Sequence, residues 1–428
     1  MKILTAVNLI IGILFTVCYA YQFVYIPVSW FKKKKPALKK PVLHDFAVLI
    51  SARNEEEVIE DLIGSLKNQT YPREHLHIFV IADNCTDRTA DAARRAGACV
   101  YERFNKELVG KGYALDALLK HLKEDHPEGF DGYFVFDADN ILNPDYVERM
   151  NETFSEGHDI VTGYRNSKNY GSNWISAGYA LWFLRDSRYL NHARSLLNTS
   201  CVVSGTGFLF SRAVAEEMGG WPYHTLTEDT EFTIDQVVEG KKIGCCREAE
   251  LYDEQPVSFI QSWHQRMRWS RGYIQVLKIY GKQLFAGMFK SFSCFDMTMN
   301  FMPAFVLSVL SIIINITVGI CGAVAGEDVM IAVRFVGEFF FNMYRLFFFL
   351  GLITTVTEWK HIHTAAPRKI LYLFTFPVFM FTYIPISVAA LFVKTSWKPI
   401  RHTYSMKKLA SQGITALPMA DGSIRKAS

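Results

Sequence analysis

The chain has 428 residues, a hydrophobic content of 50% and a formal net charge of +4. It is too long for one small domain and too apolar for an ordinary soluble protein. The mild charge does not favour nucleic acid as a partner. None of its eight cysteines belongs to a Cys-x-x-Cys pair, so we interpret them as reduced thiols of a protein whose bulk faces the cytosol or lipid.

The first element is an apolar stretch, Ile3–Trp30, which holds no charged residue and is long enough to cross a bilayer. A cleaved signal peptide is the alternative, with Cys18-Tyr19-Ala20 as its small-residue site. The apolar stretch continues well past that site, however, and lysines at 32–35 follow it at once. Because basic clusters beside a span stay cytoplasmic, we expect a retained helix and a cytosolic domain after it.

From Pro41 the composition becomes that of a soluble α/β domain. Short apolar runs alternate with helical patterns, which predicts βαβ units around a mostly parallel sheet. The predicted strands are Phe46–Ile50, His77–Ala82, Cys99–Tyr101, Tyr133–Phe136, Ile160–Gly163 and Thr206–Phe210. Neither a GxGxxG nor a GxxxxGK[ST] fingerprint occurs here, so a dinucleotide-binding Rossmann site and a P-loop are not supported.

The most informative strand, Tyr133–Phe136, runs directly into Asp137-Ala138-Asp139. Ligands of open α/β sheets bind beyond the carboxyl ends of the strands. Two carboxylates this close together need a cation, and their hard oxygens suit Mg²⁺ or Mn²⁺, which in turn recruit phosphates. A helix cap or solvated loop charges are the plainer interpretation of the same residues.

Three further places carry candidate polar groups. Asp83 follows the strand His77–Ala82, where an Asx-turn would also place it. Lys111 precedes a helix among glycines and is either a pyrophosphate contact or a solvated turn lysine. Glu228 and Asp229 begin a helical pattern, where they form either an N-terminal cap or a general base near a sugar hydroxyl.

The stretch Val257–Phe289 interleaves aromatic and aliphatic residues with cations at helical spacing. This pattern is typical of a helix that lies on an anionic membrane surface. On that interpretation Arg268 contacts lipid headgroups and Trp269 is an interfacial anchor. The cations that are interleaved with this apolar pattern include Arg266, Arg268, Arg271 and Lys278.

Three more apolar segments, Phe301–Val324, Val329–Val356 and Ile370–Val393, are each long enough to span a bilayer. The second carries Glu338 and Arg345. Because charges inside a membrane usually face a protein interior or a wet cavity, these two suggest a path for a polymer.

The last apolar segment leaves the topology open. Four crossings would place the tail from Lys394 outside, whereas its cations favour the inside. A re-entrant third segment, kinked near Pro377 and Pro385, would remove this conflict. The chain end, Leu409–Ser428, has the composition of a flexible tail.

Four polar motifs occur in chain order at domain-scale spacing, namely Asp83, Asp137-Ala138-Asp139, Glu228-Asp229 and Gln265-x-x-Arg268-Trp269. This set resembles the membrane-embedded family 2 glycosyltransferases, which include cellulose, chitin, hyaluronan and poly-N-acetylglucosamine synthases. The resemblance covers roughly Val42–Gly272 and the flanking membrane segments. It implies an α/β GT-A fold, a Rossmann-like mixed sheet, joined to interfacial amphipathic helices and transmembrane helices.

The resemblance also implies a division of the chain. The regions are an N-terminal transmembrane helix (1–31), a cytosolic GT-A domain (41–256), amphipathic interface helices (257–298), C-terminal transmembrane segments (299–395) and a basic tail (396–428). A multi-pass protein of the cell membrane, with its catalytic domain in the cytosol, is the expected arrangement.

Roles for individual residues follow from the same resemblance. Asp137 and Asp139 would hold the nucleotide and a Mg²⁺ or Mn²⁺ ion, with Asp139 the more direct ligand. Asp229, with Glu228 beside it, would be the catalytic base, and Lys111 would contact the diphosphate. The uridine pocket would include Ala52, Arg53, Asn54, Glu55 and Asp83, and Gln265, Arg268 and Trp269 would close over the diphosphate and acceptor.

The expected activity is inverting transfer from a UDP-sugar, UDP-GlcNAc or UDP-glucose, to a growing polysaccharide. Lipid-glycosylating relatives such as ceramide glucosyltransferases carry a related motif, and the chain has few membrane segments, so a glycolipid synthase is the alternative. A non-catalytic sensor of nucleotide sugars or a channel subunit is a third interpretation, but it predicts degraded motifs. Membrane lipids are expected partners, and the sequence specifies no accessory subunit.

Overall fold

The computed structural model describes residues 2–33, 40–301, 329–393 and 402–411, together with residues 395 and 400 and single positions between 310 and 324. The predicted span Phe301–Val324 therefore lies almost entirely outside the described residues. So do residues 34–39 of the lysine-rich linker and the tail beyond Ser411.

Eight strands form one mixed sheet. They are β1 (Phe46–Ala52), β2 (Leu76–Asp83), β3 (Cys99–Arg103), β4 (Gly132–Asp137), β5 (Ile141–Leu142), β6 (Ile160–Ser167), β7 (Phe208–Ser211) and β8 (Ile243–Asp253). Their order across the sheet is β3-β2-β1-β4-β7-β6-β8-β5. The first four run parallel, whereas β7 is antiparallel to both of its neighbours, so the predicted mixed α/β sheet is confirmed.

Helices cover both faces of the sheet and continue beyond it. They are α1 (Lys2–Phe31), α2 (Ile59–Lys67), α3 (Thr89–Ala96), α4 (Lys111–Asp125), α5 (Tyr146–Ser155), α6 (Trp174–Arg185), α7 (His192–Leu196), α8 (Arg212–Met218), α9 (Glu228–Val238), α10 (Phe259–Gly287), α11 (Phe292–Phe301), α12 (Val329–Thr357), α13 (Ala366–Phe381), α14 (Tyr383–Phe392) and α15 (Met406–Ser411). A 3₁₀ turn at Arg73–His75 precedes β2, and a π-helical turn at Asp186–Asn191 joins α6 to α7.

Strand β1 shows why the apolar runs form central strands. Successive side chains point to opposite faces, so Val48 and Ile50 enter one apolar layer with α2, α3 and α5. Ala47 and Leu49 enter the other layer, with α4 and α8. Burial on both faces, as predicted from unbroken apolar runs, is confirmed.

Strand β7 begins at Phe208 rather than at the predicted Thr206. Gly205 and Gly207 have φ values of 81° and 65°, in the left-handed region that favours glycine. This loop turns the chain at the edge of the sheet and brings its backbone close to the candidate site.

Three described helical stretches are long and apolar enough to cross a membrane, namely Leu9–Phe31, Gly337–Thr357 and Ala366–Phe392. They correspond to the predicted N-terminal segment and to the second and third C-terminal segments.

Both flanks of Ala366–Phe392 contact the same α/β domain. Arg368 donates a hydrogen bond to the carbonyl of Gly171 at 3.2 Å, and beyond the segment His402 Nδ1 lies 2.9 Å from the Glu55 carboxylate. This arrangement favours the re-entrant alternative for the last apolar segment.

The predicted flexible end is wrong for Leu409–Ser411. Helix α15 contains these residues, and Leu409 is buried against Ile141 and Tyr252. The backbone N–H of Met406 also donates to Asp61 at 2.7 Å, so this part of the tail is docked on the domain.

Helix α10 keeps an apolar outer side, as the predicted interfacial helix requires. Ile260, Ile279 and Phe285 are each more than half exposed. Exposed aliphatic and aromatic side chains on one helix face suit the headgroup region of a bilayer.

The predicted basic flank of α10, however, largely faces protein instead of lipid. Arg266 is fully buried and donates to Thr382 Oγ1 at 2.6 Å, with the Phe379 ring 4.5 Å away. Arg271 donates to the carbonyl of Ala390 at 3.2 Å. Buried arginines need such partners, and the aromatic and carbonyl groups of α13 and α14 supply them.

Candidate active site

The polar residues that follow the first strands meet at one edge of the sheet. Ser51 lies opposite Asp137, and Ala52 opposite Ala82, so Asp83 and Asp137 end the two parallel strands that flank β1. A cavity of about 1200 Å³ opens at this edge. The predicted residues that line it are Arg53, Glu55, Asp83, Lys111, Asp137, Asp139, Glu228, Asp229, Gln265, Arg268 and Trp269.

Lys111 begins α4 and reaches the end of β4. Its ammonium group donates to the Asp137 carboxylate and, at 2.7 Å, to the carbonyl of Gly205. Burial lowers the pKa of Lys111, but Asp137 and Glu228 raise that pKa by more, so the amine stays charged. A cation at a helix N terminus suits a phosphate group.

Asp139 is buried at the same edge. Its Oδ2 accepts a hydrogen bond from the backbone N–H of Glu254 at 2.6 Å. Burial raises the pKa of Asp139, but His402 and Lys168 lower it by more, so this carboxylate is held ionised.

Asp137 and Asp139 fit the divalent metal that the resemblance implies. Each carboxylate has one oxygen engaged, by Lys111 and by Glu254, and one oxygen without a hydrogen bond to a described residue. Within the described ranges no group of three His, Cys, Asp or Glu side chains could enclose a metal ion alone. An ion bound by two carboxylates would complete its coordination with water and phosphate oxygens, which is usual for Mg²⁺.

Glu228 and Asp229 form the first turn of α9 in the cavity wall, where Glu228 is buried and Asp229 is half-buried. An atom at the Cβ position of Gly205 would lie 3.5 Å from Asp229 Oδ2, which places this carboxylate beside the glycine loop. Burial, then Asp229, raises the pKa of Glu228 to about 7, against the pull of Lys111 and Arg268. Burial also raises the pKa of Asp229. A carboxyl pair with raised pKa values can exchange protons near neutral pH.

Gln265, Arg268 and Trp269 lie at helical spacing on one face of α10. Arg268 donates to the carbonyl of Leu226 at 3.1 Å, and Trp269 packs edge-on against Tyr179, with ring centroids 5.7 Å apart. The lipid-facing alternative for these two residues is therefore wrong. Gln265 Oε1 is buried without a hydrogen bond to any residue described, which is expected of a group that binds a ligand.

The predicted uridine pocket is formed only in part. Arg53, Glu55 and Asp83 line the cavity. Ala52 is a buried strand residue, and Asn54 turns away with φ 59°, where its Oδ1 accepts from the backbone N–H of Thr86 at 2.8 Å. Neither of these two lines the cavity, because side chains alternate along β1 and the turn then reverses the chain.

Sequence patterns missed two groups at this edge. Arg165 Nε donates to Asp253 at 2.7 Å, and burial raises the pKa of Asp253 to about 6 despite that arginine. Asp253 ends β8 in the same way that Asp137 ends β4, so a carboxylate after an apolar run is a sequence signal that could have identified Asp253. His402 approaches Glu55 across 347 residues of chain, for which no local signal exists.

The cavity extends from these polar groups to the membrane helices. Beyond Trp269 its wall is formed by α1 and α12, with residues such as Phe23, Tyr19, Asn342 and Leu346. The space is thus continuous between the sheet edge and two candidate membrane-spanning helices, and it becomes more apolar along the way.

The charges predicted to mark a polymer path do not line this cavity. Glu338 and Arg345 are exposed on the outer side of α12, and the cavity is lined by their neighbours instead. The Arg345 guanidinium lies 5.8 Å from the Phe341 ring. Glu338 and Arg345 are seven residues, two helical turns, apart and so share one face of α12, whereas Phe339, Met343 and Leu346 lie on the adjoining face that lines the cavity.

Solved structures show the same fold. The mannosyltransferase PcManGT from Pyrobaculum calidifontis, in complex with GDP-Man and Mn²⁺, aligns with a TM-score of 0.57 over 91% of this chain and 99% of that chain. The two sequences are 15% identical, so this similarity concerns the fold alone.

Curated relatives match over a little more than half of this chain. A probable glycosyltransferase, YdaM, of Bacillus subtilis is 29% identical over 267 residues, which covers 56% of this chain and 57% of that protein. A beta-monoglucosyldiacylglycerol synthase of Synechocystis is 27% identical over 234 residues, which covers 53% of this chain and 47% of that protein. The chain thus spans about half the length of these relatives.

The family described as "Glycosyltransferase like family 2" matches residues 44–272, from the start of β1 to the Gln265-x-x-Arg268-Trp269 motif. This match covers more than half of the chain and contains each motif on which the resemblance depends. The chain therefore belongs to glycosyltransferase family 2.

Proposed function

We propose that this protein is a membrane-bound enzyme that transfers a sugar from a UDP-sugar, UDP-GlcNAc or UDP-glucose, to a hydroxyl group of a membrane lipid. The observation that carries the proposal is the cavity, which joins Asp229 and Trp269 to an apolar space between α1 and α12. A lipid acceptor can place its hydroxyl at the sheet edge while its chains stay among the membrane helices.

In the proposed reaction Asp229 takes the proton of the acceptor hydroxyl. The acceptor oxygen bonds to the anomeric carbon as the bond from that carbon to the β-phosphate oxygen breaks, and UDP leaves with inversion. Lys111 and Arg268 lie where they can offset the charge that develops on the diphosphate. Asp137 and Asp139 would hold Mg²⁺ or Mn²⁺, which would offset the same charge as a Lewis acid.

A polysaccharide acceptor is the second candidate. The complete Gln265-x-x-Arg268-Trp269 motif favours it, because the resemblance associates that motif with polymer-forming members. The exposed positions of Glu338 and Arg345 remove one argument for a polar path through the membrane. Relatives named beta-monoglucosyldiacylglycerol synthase add weight to the lipid.

Purified protein in detergent, supplied with Mg²⁺ or Mn²⁺ and membrane lipid extract, tests the proposal. UDP-sugars and GDP-mannose would be screened for nucleotide release, and the products would be both extracted into solvent and sized on a gel. We expect metal-dependent release with a UDP-sugar and a solvent-soluble product. A high-mass product would transfer the assignment to a polysaccharide synthase, and absence of turnover with every donor would favour a non-catalytic sensor.

We also propose that the catalytic domain faces the cytosol. Lys32 and Lys33 follow α1, and Lys407 and Lys408 lie on the docked tail, so cations flank the domain side of the membrane helices. Cys99 is exposed on β3. A variant that keeps only Cys99 should react with a membrane-impermeant maleimide in inside-out vesicles and not in right-side-out vesicles.

A further inference from the structure

Two adjacent charged residues line the cavity between the sheet edge and the membrane helices. Arg185 ends α6, and Asp186 begins the π-helical turn Asp186–Asn191. π-helical turns are rare and occur frequently at functional sites. The proposed transfer reaction assigns no role to either residue.

Arg185 differs from the other arginines of this region. Arg165 pairs with Asp253, Arg194 with Asp296 and Arg188 with Glu358, at 2.7 Å, 2.7 Å and 3.2 Å. Each of these three arginines is therefore neutralised by a carboxylate. Arg185 has no carboxylate within ion-pair distance in the described part of the chain.

The contacts of Arg185 are weak for a cation in a cavity wall. Nη2 donates to Gln22 Oε1 at 3.2 Å, and the guanidinium lies 5.2 Å from the Trp182 ring. Burial lowers the pKa of Arg185 to about 10, and nearby Asp186 only partly opposes this effect. The Arg185 guanidinium is half-buried in the cavity wall and makes one hydrogen bond to a described residue, so its other N–H groups can donate to a ligand oxygen.

Asp186 is the complementary group. Its carboxylate accepts one long hydrogen bond, from Ser204 Oγ at 3.4 Å. Ser204 directly precedes Gly205, whose backbone adjoins the Asp229 carboxylate. Asp186 therefore lies on the path from the proposed catalytic base to Arg185 and the membrane helices.

We propose that Arg185 and Asp186 form a head-group subsite for an uncharged, oxygen-rich lipid head, a site that rests on the lipid acceptor proposed above. Asp186 accepts a hydrogen bond from a hydroxyl of the head, and Arg185 donates to an ester, ether or hydroxyl oxygen. The acyl chains lie between α1 and α12, and the reacting hydroxyl faces Asp229.

The charge balance of the subsite selects the class of head group. Arg185 offers hydrogen-bond donors and Asp186 offers acceptors, so an uncharged head that both donates and accepts hydrogen bonds satisfies them both. A phosphate would be attracted by Arg185 but repelled by the Asp186 carboxylate next to it. This repulsion disfavours an anionic head.

Kinetics and binding with full-length protein test the subsite. The acceptor probe is 1-oleoylglycerol in phosphatidylcholine vesicles, because its two hydroxyl groups leave one for Asp186 while the other reacts. Binding is followed with a fluorescent monoacylglycerol by energy transfer from tryptophan. The variants are Arg185→Gln and Asp186→Asn, and the matched control is Arg345→Gln, an exposed membrane-helix cation outside the cavity. Binding of UDP to each variant reports whether the catalytic domain is folded.

We expect both variants to raise the acceptor KM and the lipid Kd about tenfold or more, as loss of a hydrogen bond to a charged group predicts. In both variants the KM for the UDP-sugar should remain within about twofold of wild type. In the control variant the acceptor KM and the lipid Kd should also remain within about twofold. An unchanged acceptor KM and lipid Kd in both variants would overturn the subsite.

Two further outcomes separate the subsite from the proposed function. If wild-type protein transfers sugar to no lipid, the proposed lipid acceptor fails, and the lipid Kd of the variants then decides the subsite alone. If lysophosphatidylglycerol displaces the fluorescent monoacylglycerol more effectively than 1-oleoylglycerol does, the assignment to a neutral head is wrong.

Discussion

Asp229 is the residue on which the proposed chemistry depends most directly. We expect Asp229→Asn to lower kcat by about 10²–10⁴-fold, because it removes the base that accepts the acceptor proton. UDP binding, measured by calorimetry, should be retained, since the proposed nucleotide contacts lie at the ends of β1, β2 and β4. Glu239→Gln, at the far end of α9, is the control, and unchanged turnover in Asp229→Asn would remove this residue from its role.

The raised pKa of Glu228 leads to a second prediction at the residue scale. Because the folded pKa of Glu228 is about 7, protonation of the Glu228–Asp229 pair should lower kcat/KM as the pH falls through about 7. Glu228→Gln should shift this acidic limb to another pH, and a limb that stays in place would contradict the assignment. A pH series of initial rates at saturating metal measures it.

The same shift bears on stability. The pKa of the buried Glu228 is raised from its ordinary value of 4.5, so this carboxyl group binds its proton more tightly in the folded than in the unfolded chain. Its contribution to the free energy of unfolding is therefore fully present at low pH and is lost as the pH rises through about 7. Glu228→Gln should reduce this part of the pH dependence.

At the scale of elements, the docked tail reaches the end of the cavity where the nucleotide is proposed to bind. His402 approaches Glu55, and the backbone N–H groups of Thr403 and Tyr404 donate to Glu254 at 3.0 Å and 2.7 Å. Burial lowers the pKa of His402, but Glu55 and Asp139 raise it to about 10, so the imidazole is charged at neutral pH. The tail thus supplies a cation beside the proposed diphosphate site.

We expect His402→Gln to weaken UDP binding by about tenfold, because an uncompensated Glu55 carboxylate would repel the diphosphate. The double variant Glu55→Gln/His402→Gln should recover most of this loss, since it removes the unpaired charge along with its partner. Additive losses in the double variant would contradict this explanation. Calorimetric UDP affinities of the four proteins complete the cycle.

At the scale of the whole molecule, one buried cluster ties α1 to the catalytic domain. Arg194 and Asp296 are both fully buried and paired, and the hydroxyl groups of Tyr21 and Tyr25 donate to the same carboxylate at 2.6 Å and 2.8 Å. The cluster joins α1, α7 and α11, which are far apart in the chain. It therefore orients the first membrane helix relative to the sheet.

We expect Asp296→Asn to destabilise the protein by about 3–5 kcal/mol, because it leaves Arg194 buried without its counter-ion. Thermal unfolding in detergent measures the change, and Glu124→Gln on the exposed surface of α4 is the control. The double variant Arg194→Met/Asp296→Leu should be close to wild type, as replacement of a buried pair by apolar side chains often is. A double variant as unstable as Asp296→Asn would mean that the tyrosine contacts, not the charge, hold the helices together.

The amino-acid sequence by itself determined the α/β sheet and several of the polar residues at the edge of the sheet where the cavity opens. Unbroken apolar runs such as Phe46–Ile50 predict strands buried on both faces, and a polar residue after each run must lie at a common edge when the strands are parallel. Asp83 and Asp137 were predicted in this way, and the structure places both at the cavity. Local periodicity is enough for such features.

Only the tertiary structure decided the other contacts in and around the site. It buried Arg266 among aromatic rings, turned Asn54 away from the cavity, docked His402 on Glu55 and joined the sheet edge to the space between α1 and α12. Each of these contacts joins residues from separate elements. Such contacts leave no periodic trace in the sequence, because a local pattern records which face of an element is buried but not which partner buries it.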